Sequence, residues 1–190
     1  MAGPEFHDLK TGRIAMSAVP VLPDLAEAPD VVKRRAVPIK DIAKEDDKLL
    51  HVYRYWDAKR KSGLLPARRD IDIVELRPVV GTTHIIDVAS KDPGKYKFRL
   101  YGTGVRQVEQ KLPSQFLLES LKSRAYRDAL KEDYSAVVFS GSPAYHQVVA
   151  MLDYVTYSYS RLILPLAEDG REVNMLMVCI NARKFNDFKL

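Results

Sequence analysis

Cysteine is almost absent from this sequence, and long apolar runs are missing altogether. The single cysteine, Cys179, excludes an intramolecular disulfide, and its apolar surroundings predict a buried, unreactive thiol. No run of about 18 apolar residues occurs, and the first residues lack the charged and apolar segments of a secretion signal. We therefore expect a cytoplasmic protein that has no membrane partner.

Histidines are also few, and their spacing argues against metal chemistry. His7, His51, His84 and His146 lie far apart, and none has another histidine or a cysteine at a spacing that suits zinc. The chain has no Gly-x-Ser-x-Gly turn that would expose a catalytic serine. The segment Gly102-Thr103-Gly104 lacks the remaining glycine of a dinucleotide-binding fingerprint. The sequence thus predicts neither a metal site nor a catalytic residue, and it assigns no cofactor.

The excess of positive charge is small and scattered. Thirty basic residues face 25 acidic ones, which gives a net charge of +5. The basic clusters at residues 33–35, 59–61 and 68–69 are short, and the second lies where a helix end favours cations. Nucleic-acid binding therefore has weak support, although the basic arm and residues 68–69 keep it as an alternative.

The sequence does contain enough apolar residues for one substantial core. It has 190 residues, of which 46% are hydrophobic. Frequent prolines predict that residues 1–41 form a flexible or extended arm. Leu49, Val52 and Trp56 recur at helical spacing, so residues 42–64 are predicted to hold an amphipathic helix, and residues 65–190 the main domain.

Within that domain the pattern predicts an α+β fold. A helix is expected over residues 119–139, and Asp169-Gly170 predicts a tight type I′ turn between the last two strands. Five strands with helices inserted after the second would form an antiparallel sheet whose helices cover one face. The predicted strands are residues 82–88, 96–101, 145–151, 155–166 and 172–180.

Several segments resemble a known family in their order and spacing. They are Tyr55-Trp56, the run from Leu65 to Ile71, Ile85-Ile86-Asp87-Val88, Phe98 to Thr103, Ser140 to Tyr145, and Arg161 to Leu166. Together they are similar to the PAS-domain family of short bacterial proteins in which the domain stands nearly alone. The resemblance implies a five-stranded PAS sheet, a sensing or protein-interaction role, and self-association through helices that flank the core.

Alternation along the strands suggests which residues would contact a small-molecule ligand. His84 is in register with Ile86 on the first strand, and strict alternation would place serines 158 and 160 on the same face as Leu162. A helix-covered sheet that carries small hydroxyl groups is a natural ligand cradle. The candidate ligand-binding residues are His84, Phe98, Leu100, Tyr134, His146, Ser158 and Ser160.

The opposite face of the same strand would carry Tyr157, Tyr159 and Arg161. Tyrosine and arginine are enriched in interfaces, so these residues, together with Trp56 on the first helix, are candidates for partner binding. Coverage of this face by the N-terminal helix or arm is an equally weighted alternative.

The sequence thus predicts a non-enzymatic PAS sensor or regulatory module. It would act through protein contacts, as a homodimer or with a signalling protein, and a small molecule is its candidate ligand. The first alternative is an enzyme that uses a pocket containing His84, Tyr134 and His146. The second is the nucleic-acid binder.

Overall fold

A single antiparallel sheet organises the chain. The computed structural model describes residues 30–105 and 115–182. Over these residues the strands run in the order β1-β5-β6-β7-β2-β3-β4. The strands are β1 (Val31–Val37), β2 (Thr83–Asp87), β3 (Lys97–Leu100), β4 (Phe116–Leu117), β5 (Ala144–Leu152), β6 (Val155–Leu166) and β7 (Met175–Ala182); the helices are α1 (Ile42–Glu45), α2 (Asp47–Ala58) and α3 (Arg124–Ser140).

All five predicted strands are present, and the α+β class is confirmed. The predicted number of strands was too low, because β1 and β4 add one strand at each edge of the sheet. The N-terminal region does contain many prolines, but none lies within β1. A valine-rich segment that is free of proline can pair along an edge strand, where chain breakers on either side do no harm. The part of the arm before residue 30 lies outside the described residues.

Helices cover both faces of the sheet: the inserted helix α3 covers one face, and the N-terminal helices, whose position on the sheet the sequence left open, cover the other. The side chains of α3 pack against the face that carries Ile163, and those of α1 and α2 pack against the face that carries Leu162 and Leu164. These three consecutive strand residues are all fully buried. Burial on both faces removes the alternation of apolar and polar residues that would mark a solvent-exposed side.

The predicted N-terminal helix is divided at Asp46. This residue has an extended backbone with φ of −153° and ends α1, and its side chain accepts a hydrogen bond from Leu49 N to begin α2. The carboxylate thus acts as the N-cap of α2. At the other end, the Trp56 indole is fully buried and donates to Pro165 O at 3.0 Å, which holds α2 on β6.

The connection between β6 and β7 differs from the predicted turn. A hairpin does join the two strands, but its loop spans residues 167–174. Gly170 has a positive φ of 75°, whereas Asp169 does not. A type I′ turn needs a positive φ at both central residues, so this turn is not of type I′. Instead the Asp169 carboxylate accepts hydrogen bonds from the backbone N–H groups of Arg171 and Glu172.

Within the described ranges, no helix is both long enough and apolar enough to cross a lipid bilayer.

We predict that Trp56→Ala lowers the free energy of unfolding by about 3–5 kcal/mol, because it removes a fully buried indole. Phe139→Ala is the matched control, since Phe139 is 64% exposed and its loss should change stability by only about 0.5 kcal/mol. Urea unfolding followed by circular dichroism measures both values. Equal losses in the two variants would contradict the docking of α2 on the sheet.

Candidate functional site

A group of charged and polar side chains is buried between α3 and the sheet. We call Arg34, Asp133, His146 and Arg161 the polar cluster. Arg161 on β6 and His146 on β5 are direct cross-strand partners, so their side chains leave the sheet on the same face. On the neighbouring strand, Ala36 pairs with His146, which places Arg34 on that face as well. Asp133 reaches the three strands from α3.

The Asp133 carboxylate is shared by two guanidinium groups. Arg161 Nη2 donates to Asp133 Oδ2, and Arg34 Nε donates to Asp133 Oδ1 at 2.8 Å. Arg34 also pairs with Glu132, whose side chain is mostly exposed. Arg161 and Asp133 are 1% and 6% exposed. At this depth a charge that loses its partner is very costly, so the pair ties α3 firmly to β6.

Two polar atoms of the cluster have no hydrogen-bond partner among the described residues. They are Nδ1 of His146 and Nε of Arg161, and both are shielded from solvent. The other ring nitrogen of His146, Nε2, lies 3.7 Å from Asp133 Oδ1, which is too long for a hydrogen bond. Buried polar atoms are nearly always hydrogen-bonded, so these two atoms are exceptions.

The charge state of His146 follows from its surroundings. The pKa of His146 is lowered to about 4, first by burial and next by the nearby Arg161, with a smaller contribution from Arg34, while Asp133 acts in the opposite direction. Desolvation disfavours the charged imidazolium, and two positive charges outweigh one negative charge. His146 is therefore neutral near pH 7.

His84 lies deeper on the same face. Its Nδ1 accepts a hydrogen bond from Gly102 N at 3.0 Å, and its ring stacks on Tyr101 with 4.3 Å between centroids. Burial, and secondarily Arg161, lower the pKa of His84 to about 3. A Cβ at position 102 would lie 2.6 Å from Gly81 O, so the close backbone approach that makes this hydrogen bond requires glycine.

Tyrosine rings occupy much of the space between α3 and the sheet. The Arg161 guanidinium lies over the Tyr134 ring, 5.8 Å from its centroid. The Tyr159 hydroxyl donates to the Tyr126 hydroxyl at 3.2 Å. Burial raises the pKa of Tyr134 and that of Tyr159, so both phenols are neutral.

The structure brings together four of the seven predicted ligand-binding residues: His84, Phe98, Tyr134 and His146 all lie on the α3 face. Leu100 does not join them. The register shifts between Ile85 and Ile86, which pair with Leu100 and Phe98, so Arg99 is an extra residue on β3. Such a bulge reverses the alternation, and Leu100 points to the opposite face, where it is 43% exposed.

The two serines lie on the α2 face. Alternation along β6 was predicted correctly, because Ser160 shares a face with Leu162, but this face is covered by α2. Ser160 is fully buried and accepts a hydrogen bond from the Tyr145 hydroxyl at 2.9 Å. Ser158 is on the same side by the same alternation. A ligand beneath α3 would therefore not contact either serine.

The predicted partner-binding residues are largely buried. Tyr159 and Arg161 lie beneath α3, and Tyr157, on the same face, is partly covered. Trp56 is fully buried between α2 and the sheet. The expectation of an exposed aromatic face is thus wrong, because period-two alternation separates the two faces of a strand but cannot say what covers each one.

Two members of the polar cluster, Asp133 and Arg34, were not predicted as site residues from the sequence. Asp133 follows Leu130 by three residues and precedes Val137 by four, so it falls on the buried face of α3. A lone acidic residue on an apolar helix face is a signal that could have been recognised. Arg34 had no such signal, since its strand was not predicted.

The basic clusters make contacts within the protein. Arg34 pairs with α3, and Arg35 donates to the side chain of Gln147 on β5. Arg69 pairs with Glu168, and Arg68 donates to Ile71 O. No specific feature of the described residues favours nucleic-acid binding over these structural roles. The described part of the chain contains no group of three or more histidine, cysteine, aspartate or glutamate side chains suited to hold a metal ion.

We predict that Asp133→Asn lowers the free energy of unfolding by roughly 3 kcal/mol, because it leaves the buried Arg161 guanidinium without its counter-charge. Glu132→Gln is the matched control, since it removes the same charge from the preceding, exposed residue. Urea unfolding at neutral pH compares the two. A loss for Glu132→Gln as large as that for Asp133→Asn would contradict the buried position of the ion pair.

We also predict that acid destabilises the fold through its buried histidines. The pKa values of His84 and His146 lie below the ordinary value of 6.5, so the unfolded chain binds protons that the folded chain does not. Stability is then lost as the pH falls below about 6.5, by about 2 kcal/mol per histidine at pH 5. Urea midpoints across this range measure the slope.

The double variant His84→Asn/His146→Asn should flatten this slope, whereas His51→Asn, which removes an exposed histidine, should keep it. An unchanged slope in the double variant would show that other groups cause the acid sensitivity.

Comparison with known proteins agrees with this architecture. A family model described as PAS domain matches residues 45–180, which is more than half of the chain and spans both α2 and the sheet from β2 to β7. No curated protein and no solved structure matches the chain. The family match confirms the resemblance in the sequence, and the chain belongs to the PAS-domain family.

Proposed function

We propose that this PAS domain is a non-enzymatic sensory or regulatory module that passes its signal through protein contacts. PAS domains in general are sensory modules. The main observation behind the proposal is that the side chains of three consecutive residues on β5 contact helices on alternate faces of the sheet. Tyr145 faces α2, His146 faces α3, and Gln147 faces α1.

The polar cluster and the surface on which α1 and α2 pack therefore lie on opposite faces of the same strands. On β6, Arg161 binds Asp133 on one face, while its neighbour Ser160 accepts from Tyr145 on the other. One layer of backbone therefore separates the two sets of contacts. A shift of β5 or β6 at the polar cluster would displace side chains on both faces, since interiors are close-packed.

Polar contacts at both ends hold α1 and α2 on the sheet. Gln147 Nε2 donates to Glu45, and Asn181 Nδ2 donates to both oxygens of Asp46 at 3.0 Å. At the far end Trp56 binds the backbone of β6. A few contacts of this kind can be exchanged for contacts to a partner, so α1 and α2 are the proposed output elements, toward a second copy or a signalling protein.

The burial of the titratable groups supports a role other than catalysis. His84 and Tyr134 are 2% and 1% exposed, and their perturbed pKa values arise mainly from burial among packed rings. A general acid or base must come within hydrogen-bond reach of a substrate. Groups packed this tightly support the sensory proposal over the enzyme alternative.

We predict that weakening the polar cluster loosens α2 across the sheet. Relative to the wild type, Asp133→Asn should accelerate hydrogen exchange more in α1 and α2 than in β3, because β3 is not adjacent to β5 or β6 in the sheet. Glu132→Gln should exchange like the wild type. Equal acceleration in every strand would report only a lower global stability and would contradict transmission through β5 and β6.

Native mass spectrometry of the full chain tests the protein contacts directly. A dimer, or a defined complex formed with a candidate signalling protein, is the expected result. A chain that stays monomeric and forms no complex, even with its hydrogen-exchange coupling intact, would contradict signalling by protein contact.

A further inference from the structure

The N-terminal helices cover only part of the sheet on their side. Here α2 packs on β6 and β7, whereas β3 and β4 follow β2 toward the far edge. Leu100 pairs with Ile85, a member of the core beneath α2, so it points to this side. Leu117 does so too, because its neighbour Phe116 belongs to the core beneath α3. Leu100 and Leu117 are 43% and 44% exposed, and we call them the floor.

The segment that leads into β2, residues 71–82, forms a wall beside this floor. It turns Leu76 and Val79 inward, to the core beneath α2. A Cβ at Gly102 would lie 2.6 Å from Gly81 O, so the wall contacts the chain directly after β3. The wall exposes three aliphatic side chains by 41% to 50%: Ile73, Val74 and Val80. Floor and wall together form a stepped apolar surface, and exposed apolar surface of this kind marks sites of protein contact.

The two parts of the stepped surface have net charges of opposite sign. At the wall two acidic side chains stand against one basic side chain, which gives −1: Asp72, Glu75 and Arg77. At the floor two basic side chains stand against one acidic side chain, which gives +1: Lys97, Arg99 and Asp87. A protein that fits this surface therefore needs a basic part opposite the wall and an acidic part opposite the floor.

We propose that a second copy of this chain docks on the stepped surface, with the wall of each copy on the floor of the other. This inference rests on the proposed function, because it names the partner and the surface of one protein contact. A two-fold axis makes each contact twice, so both acidic walls meet basic floors. Wall against wall would instead oppose like charges. A standard interface buries about 800 Å² of each partner, so the contact includes the charged side chains as well as the aliphatic ones.

The wall also contacts α2, the proposed output element. The Tyr55 hydroxyl of α2 accepts a hydrogen bond from Asp72 N at 2.7 Å. His51, one turn earlier on α2, places Nε2 3.3 Å from Glu75 O. A displacement of α2 therefore moves the part of the wall that carries the acidic side chains, which couples the position of α2 to docking of the second copy.

Cross-linking tests where the two-fold axis lies. Val80 is at the end of the wall next to the floor, so its two copies should lie near the axis and near each other. Oxidation of Val80→Cys in the full chain should link two chains, whereas Phe139→Cys, on the exposed end of α3, should not. The native Cys179 is buried and gives no background. Non-reducing electrophoresis measures the linked fraction, and no more linkage at position 80 than at position 139 would contradict this arrangement.

Sedimentation velocity tests the charges and the floor. The full chain should show a monomer–dimer equilibrium that weakens as sodium chloride is added. Glu75→Lys should raise the dimer Kd about tenfold, because it places a cation opposite the basic floor. Glu172→Lys makes the same change on the exposed β6–β7 loop and should dimerise like the wild type. Leu100→Asp should abolish the dimer while circular dichroism shows an intact fold.

A chain that stays monomeric at every concentration would overturn this inference. A dimer that Glu75→Lys and Leu100→Asp leave unchanged would overturn it as well. Neither result bears on a complex with a signalling protein, so the proposed function would still stand. That function fails only when native mass spectrometry finds no protein contact of either kind, and the two proposals therefore fail separately.

Discussion

The buried pair of Arg161 and Asp133 constrains how the whole domain is assembled. Each ion has lost nearly all of its water, and a loss of this kind is compensated only when the partner is held at close range. The pair therefore fixes α3 at one position along β6. Because Arg34 binds the other oxygen of Asp133, the same carboxylate also holds the edge strand β1 against the helix.

The ion pair and the N-terminal helices contact the same strands, because the sheet is a single layer between two sets of helices. Side chains on β5 and β6 alternate between the polar cluster and the docking surface of α1 and α2. An enzyme commonly gathers its polar groups where a substrate can reach them. Here they lie inside the protein, at the junction of three strands and a helix.

The sequence revealed much of the fold because its strands and helices carry strong local signals. The apolar run from Leu162 to Leu166 predicted β6, and the spacing of Leu49, Val52 and Trp56 predicted α2. The candidate site was predicted less well. His84 and His146 were chosen for their strand positions and do share a face, whereas the bulge at Arg99 turned Leu100 away, and a bulge of one residue leaves no clear trace in the sequence.

By itself, the sequence determined the class of fold, the family and the alternation of side chains along β6. These depend on local spacing and on the order of segments. Only the tertiary structure decided which helix covers which face, and thus that Arg161 is a buried ion partner and Ser160 a contact beneath α2. The physical reason is that a two-residue period defines two equivalent faces, and the choice between them depends on packing between residues that lie far apart in the sequence, such as the 28 positions between Asp133 and Arg161 and the 135 positions between Asp46 and Asn181.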